Sequence, residues 1–164
     1  SYVLTCVQGE RMDAVKPLRV LVPTRGSAPA LGACREAARM LAPGRAEVRL
    51  LTVLPEELYP NPYTLEGKQM SDMPERLERV RETAERALGE ARRIFEEAGH
   101  PVEANHRFGN PPKEILNEIR EWAPDLVVMG WWVARAPQKW VAGSIFERVI
   151  RHTEVPVLLM RYRE

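Results

Sequence analysis

Two kinds of apolar spacing alternate along the chain. Short, nearly unbroken apolar runs occur at LRVLVPT (18–24), AEVRLLTVL (46–54) and PDLVVMG (124–130). Runs of this length with little polar alternation predict strands buried on both faces of a parallel sheet. PVEANHRFG (101–109) alternates and reads as a further strand, and VPVLLMR (155–161) as the last. Between these runs the apolar period lengthens to that of a helix. Leu31, Cys34, Ala37, Ala38 and Leu41 recur at helical spacing, with Ser27 as N-cap, Pro29 in the first turn and Pro43-Gly44 as the stop. Met73, Leu77, Val80, Ala84, Ala87, Leu88, Ala91, Ile94, Phe95 and Ala98 form one stripe on a helix over 73–98. Asp72 and Glu75 have capping-box spacing, Gly99 ends this helix, and Glu75–Arg79 and Glu82–Arg86 are i, i+4 pairs on its wet side. The stripe is close to a heptad repeat, but a helix lying on a sheet is its favoured use. NPPKEILNEIREW (110–122) predicts a helix with Ile115, Leu116 and Ile119 inward, and SIFERVIRH (144–152) one with Ile145, Phe146, Val149 and Ile150 inward.

Strand and helix therefore alternate five strands deep, which predicts an α/β fold: a doubly wound, open, parallel five-stranded sheet with helices on both faces, Rossmann-like. Ligands of such sheets bind beyond the carboxyl ends of the strands at the switch point. Residues 18–164 make this domain, and 1–17 read as an N-terminal extension, tag or linker in which YVLTCV has strand character. The segment 55–71 is rich in Pro and turn formers; its length fits a functional lid and a surface insertion equally well.

Composition narrows the function classes. A net charge of +1 gives no global field for nucleic acid, and no apolar run is long enough to span a membrane, so neither nucleic-acid binding nor direct membrane insertion is expected. With no signal peptide and only two cysteines, Cys6 and Cys34, the chain reads as cytoplasmic with reduced thiols. His100, His106 and His152 lack metal-ligand spacing and are expected at the surface or at element edges. Lysine occurs only at 16, 68, 113 and 139, so arginine carries nearly all the positive charge.

No P-loop, dinucleotide fingerprint or nucleophile elbow is present, and nothing pairs a nucleophile with a base, so binding is favoured over catalysis. The stretch MGWWVARAPQKWVAGS (129–144) carries what chemistry there is. Gly130 closes a strand, Gly143 and Ser144 open a helix, and a helix N-terminus suits an anion. Ser144 is better read as a cap than as a ligand contact. Arg135, Lys139, Arg148 and Arg151 outnumber Glu147 nearby, so phosphate is a reasonable guest. Trp131, Trp132 and Trp140 are read as packing or interface residues, with stacking on a base as the alternative.

These segments, taken in order, resemble the universal stress protein family over residues 18–161. VPTRGS (22–27) matches the family's V-P-x-D-G-S, LLTV (50–53) its second strand, GNP (109–111) its G-x-P and DLVVMG (125–130) its D-L-I-V-M-G. Gly130, Val133, Gly143 and Ser144 hold the spacing of G-x2-G-x9-G-[ST], and VPVLL follows at 155–159. The resemblance implies an adenine nucleotide, ATP or AMP with Mg²⁺. Its adenine would lie near Pro23, Thr24, Arg25 and the backbone of Val53. Its phosphates would lie near Met129, Gly130, Trp132, Val133, Gly143, Ser144 and Ile145. It also implies a homodimer through residues 155–161. Two positions depart from the pattern. Arg25 stands where nucleotide-binding members commonly have Asp, turning an acceptor into a donor-only cation. Val133 replaces the middle glycine with a β-branched residue that resists positive φ. The expected function is thus a stress-response regulatory module with a degenerate or altered nucleotide site. The alternatives are an ATP-binding member with slow or no hydrolysis, and a cytosolic regulatory domain of a larger transporter or sensor.

Overall fold

The computed structural model describes residues 16–58, 71–132 and 145–162, the side chains of Glu57, Trp131, Trp132, Arg161 and Tyr162 excepted. In chain order the elements are β1 (Leu18–Pro23), α1 (Ala28–Met40), β2 (Ala46–Leu54), a short 3-10 turn (Glu56–Leu58), α2 (Met73–Glu97), β3 (Val102–Phe108), α3 (Pro111–Trp122), β4 (Leu126–Trp132), α4 (Ile145–His152) and β5 (Val157–Tyr162). The five strands form one parallel sheet in the order β3-β2-β1-β4-β5. Strand order reverses between β1 and β4, which places the switch point there. The segment YVLTCV and residues 59–70 of the expected lid lie outside the described residues.

Period-two alternation sends the side chains of each strand to two cores. Val20, Val22, Val48, Leu50 and Val128 pack with Cys34 and Ala37 of α1 and Leu88, Ala91 and Phe95 of α2. Leu21, Leu51, Val53, Val127 and Met129 pack on the other face with Ile115, Ile119 and Trp122 of α3 and Val149 of α4. Burial pushes the Cys34 thiol up to about 12, against the lowering pull of Arg35, so it stays protonated and inert.

Several expectations are corrected at the level of single side chains. Leu77 is exposed, because α2 reaches the core only from Val80 onward. Ile145 and Ile150 are likewise exposed, and only Val149 of α4 is fully buried. Ser27 and Asp72 occupy their N-cap positions without a side-chain cap; the Ser27 carbonyl accepts from Leu31 N–H at 2.9 Å and the Asp72 carbonyl from Arg76 N–H at 3.1 Å. Glu75 and Arg79 do pair on α2, whereas the next arginine to close ion pairs is Arg81, with Glu78 and Glu85, in place of the expected Glu82–Arg86. His100 is not a surface residue. Gly99, at φ +84°, turns the chain so that His100 N–H donates to the Phe95 carbonyl at 3.0 Å and its ring packs edge-on against Phe95.

Candidate functional site

A cleft of about 230 Å³ opens at the carboxyl ends of β1 and β4. One residue explains why it starts where it does. Successive residues of β1 bond alternately to β2 and β4. Thr24 N–H donates to Leu51 of β2 at 2.8 Å, while Arg19 exchanges bonds with Asp125 at the foot of β4, its N–H reaching Asp125 Oδ2 at 2.8 Å. Positions 19, 21 and 23 therefore face β4, and at position 23 the chain has a proline with no N–H to give. Paired positions between β1 and β4 stop at Leu21–Val127, whereas β4 itself runs on to Trp132.

The last point corrects the sequence reading of Gly130. It does not end a strand: Gly130, Trp131 and Trp132 continue β4 and pair with Met160, Arg161 and Tyr162. Its glycine identity has a packing cause. A Cβ there would lie 3.1 Å from the Ala33 Cβ, 3.1 Å from the Pro29 carbonyl oxygen and 3.2 Å from the Ala30 Cα. The missing side chain lets the first turns of α1 settle on β4, and this brings Ser27 and Ala30 to the cleft wall.

Of the residues expected at the site, Pro23, Thr24, Arg25, Val53, Met129, Gly130 and Ile145 all line this one cleft. Trp132 is placed by its backbone alone, and Val133, Gly143 and Ser144 lie outside the described residues. Pro111 and Ile115 of α3, Leu51 of β2 and Phe146 of α4 complete the walls. Sequence reasoning assigned Ile115 and Phe146 to the core alone; an apolar period does not distinguish a side chain that ends in the core from one that ends in a cleft. The walls are therefore mostly apolar, and Arg25 is the one charged residue among the described lining residues. The loop that presents it is held on both sides. Thr24 is buried and its Oγ1 accepts from Gly26 N–H at 3.1 Å, and Gly26, at φ +72°, lies directly against the backbone of Ala87 in α2. Among the described residues no cluster of His, Cys, Asp or Glu has the makings of a metal site, and no helix is long and apolar enough to cross a membrane.

With this geometry in hand, comparison with known proteins is decisive. The profile of the universal stress protein family matches residues 18–161. The chain belongs to the universal stress protein family. A universal stress protein of Methanocaldococcus jannaschii is 26% identical over 144 residues, covering 87% of this chain and 81% of that protein. Solved structures share the fold. A universal stress protein in complex with cAMP superposes with a TM-score of 0.60 at 21% identity, covering 89% of this chain and 98% of that one. A family protein from Arabidopsis thaliana with AMP bound gives 0.61 at 18% identity, covering 90% and 93%. The expected five-stranded α/β architecture is the one this family shares.

Proposed function

We propose that the chain is a regulatory binding domain whose β1–β4 cleft holds an adenine nucleotide in an altered site. The observation that carries this reading is that residues from the ends of β1, β2 and β4 and the start of α4 line one cleft. Arg25 is exposed and lines it. Apolar walls from Val53, Ile115 and Phe146 suit the faces of a base, and family structures with cAMP and AMP lend support. The described lining offers no carboxylate for Mg²⁺, so any metal would arrive on the phosphates of the ligand. Because no described lining residue pairs a nucleophile with a base, the reading is one of binding and signalling. We infer also that two copies associate through β5, an apolar strand at the end of the sheet.

Calorimetric titration with AMP, ADP and ATP, with and without Mg²⁺, tests the proposal. Micromolar binding by the natural chain is expected. If the natural chain binds none of them and Arg25→Asp combined with Val133→Gly gains binding, the site is a degenerate one and the proposal is wrong.

A further inference from the structure

We propose that Arg25 makes the cleft select a nucleotide bearing a second phosphate on its ribose, at the 2′ or 3′ position. This rests on the nucleotide reading above and adds the chemical class of the ligand. Three observations carry it. Among the described residues the guanidinium has no counter-charge: no carboxylate lines the cleft, the first turn of α1 holds no acidic residue, and none lies within salt-bridge distance of Arg25. The backbone that presents it is fixed, by Thr24 N–H on Leu51, by Gly26 N–H on Thr24 Oγ1 and by the contact of Gly26 with Ala87. The position is the carboxyl end of the strand at the switch point, between an apolar base pocket and β4. In dinucleotide-binding doubly wound sheets the ribose is read one strand further on, by a carboxylate for its hydroxyls or an arginine for a phosphate on it. Arg25 offers the same donor from the end of β1, the strand between β2, which carries Val53, and β4. A guanidinium is a planar fork of five donors with no acceptor, so its best partner is a bidentate oxyanion. An unpaired one held at the mouth of an apolar cleft is completed by a phosphate and gains far less from a hydroxyl.

The test compares isomers. Adenosine 2′,5′- and 3′,5′-bisphosphate have the composition of ADP but carry the second phosphate as a ribose monoester, which adds up to about one negative charge at neutral pH. Calorimetry on the full chain at fixed ionic strength is expected to give at least one bisphosphate about tenfold tighter than ADP, the gain of one charge-assisted bidentate contact. Arg25→Gln should bring the isomers level, Arg25→Lys should keep part of the preference, and Arg25→Asp should reverse it. Equal affinities in the natural chain, or a preference that survives Arg25→Gln, would overturn the inference and leave the nucleotide reading standing. If AMP, ADP and both bisphosphates all fail to bind, the nucleotide reading itself falls and this inference with it.

Discussion

Gly26 is the residue on which the presentation of Arg25 depends. Its φ of +72° is one that side chains rarely adopt, and a Cβ would sit 2.8 Å from the Ala87 carbonyl oxygen and 3.3 Å from its Cα, both backbone atoms of α2 that have little room to give. Gly44 has a similar φ of +70° but nothing within 4 Å, so its substitution carries the conformational penalty alone. Gly26→Ala is therefore expected to cost about 2–3 kcal/mol, and Gly44→Ala about 1 kcal/mol, in urea denaturation. Equal losses at the two positions would show that α2 moves aside and that the loop is not locked. The same contacts explain what glycines in a sequence do and do not reveal. Gly44 and Gly99 sit in the turns the sequence assigned to them. Gly130 lines the cleft, but the space a Cβ would take there is filled by α1, so packing accounts for the glycine. His100 was missed for a related reason: nothing in one residue's identity reports that the turn before it folds the ring back onto Phe95, where both of its nitrogens are left without a partner among the described residues.

Helix α3 holds a buried charge that no periodicity announces. Glu118 is buried with Arg49 of β2 at 2.9 Å and Arg107 of β3 at 2.5 Å, and Arg49 also meets Glu103 at 2.5 Å while Arg107 meets Glu121. The Arg49 guanidinium further lies 4.4 Å from the ring centre of Trp122, with Arg19 at 4.5 Å. Burial alone would push the Glu118 carboxyl up, but the hydrogen bonds and charges of Arg107 and Arg49 outweigh it and hold the group below the ordinary carboxylate range. A carboxyl depressed in the folded state stabilises the fold above its unfolded value of about 4.3, and that share is lost as pH falls through the folded value. Glu118→Gln leaves two half-buried guanidinium groups short of a charge and is expected to cost about 3 kcal/mol at pH 7. The gap between the natural chain and the variant should narrow as the pH of the denaturation series falls below about 4. A gap that stays constant down to pH 3 would mean that Glu118 acts by shape and hydrogen bonding, not by charge. The elements themselves were legible because their signals are local: β1, β2 and β4 are apolar runs and α2 is a long stripe. The network was not, because Arg49, Arg107 and Glu118 are polar letters on three separate elements, brought together only by the register Leu50–Ala104 and by how α3 lies on the sheet. The cleft falls between these cases. Pro23, Thr24, Arg25, Met129 and Gly130 follow from strand order, whereas Pro111, Ile115 and Phe146 depend on how two helices pack.

The sheet as a whole ends in two unlike edges, and the difference bears on assembly. β3 is blunted as solitary edges usually are: it carries Glu103, His106 and Arg107, and α2 stands beside it through Arg81, Leu88 and Arg92. β5 presents Val157, Leu158, Leu159 and Met160, an unbroken apolar run in which no residue is fully buried although Leu158 and Met160 reach one core and Val157 and Leu159 the other. Its backbone is paired to β4 on one side, so alternate N–H and C=O groups point outward. An apolar edge with no partner strand among the described residues invites association, and a closed pair of β5 strands related by a two-fold axis satisfies it without leaving a further edge to propagate. We therefore expect sedimentation equilibrium to give twice the 18.7 kDa of one chain at micromolar concentration. Hydrogen exchange adds a position-specific reading. The amides of β5 that face β4 should be protected at any concentration, and those that face outward only where the dimer is populated. A single-chain mass with alternating protection along β5 would mean that this edge stays unpaired between copies. Protection of every β5 amide in a particle of single-chain mass would mean that another part of the same chain covers it. Only the combination of doubled mass and concentration-dependent outward protection places a second copy on this edge.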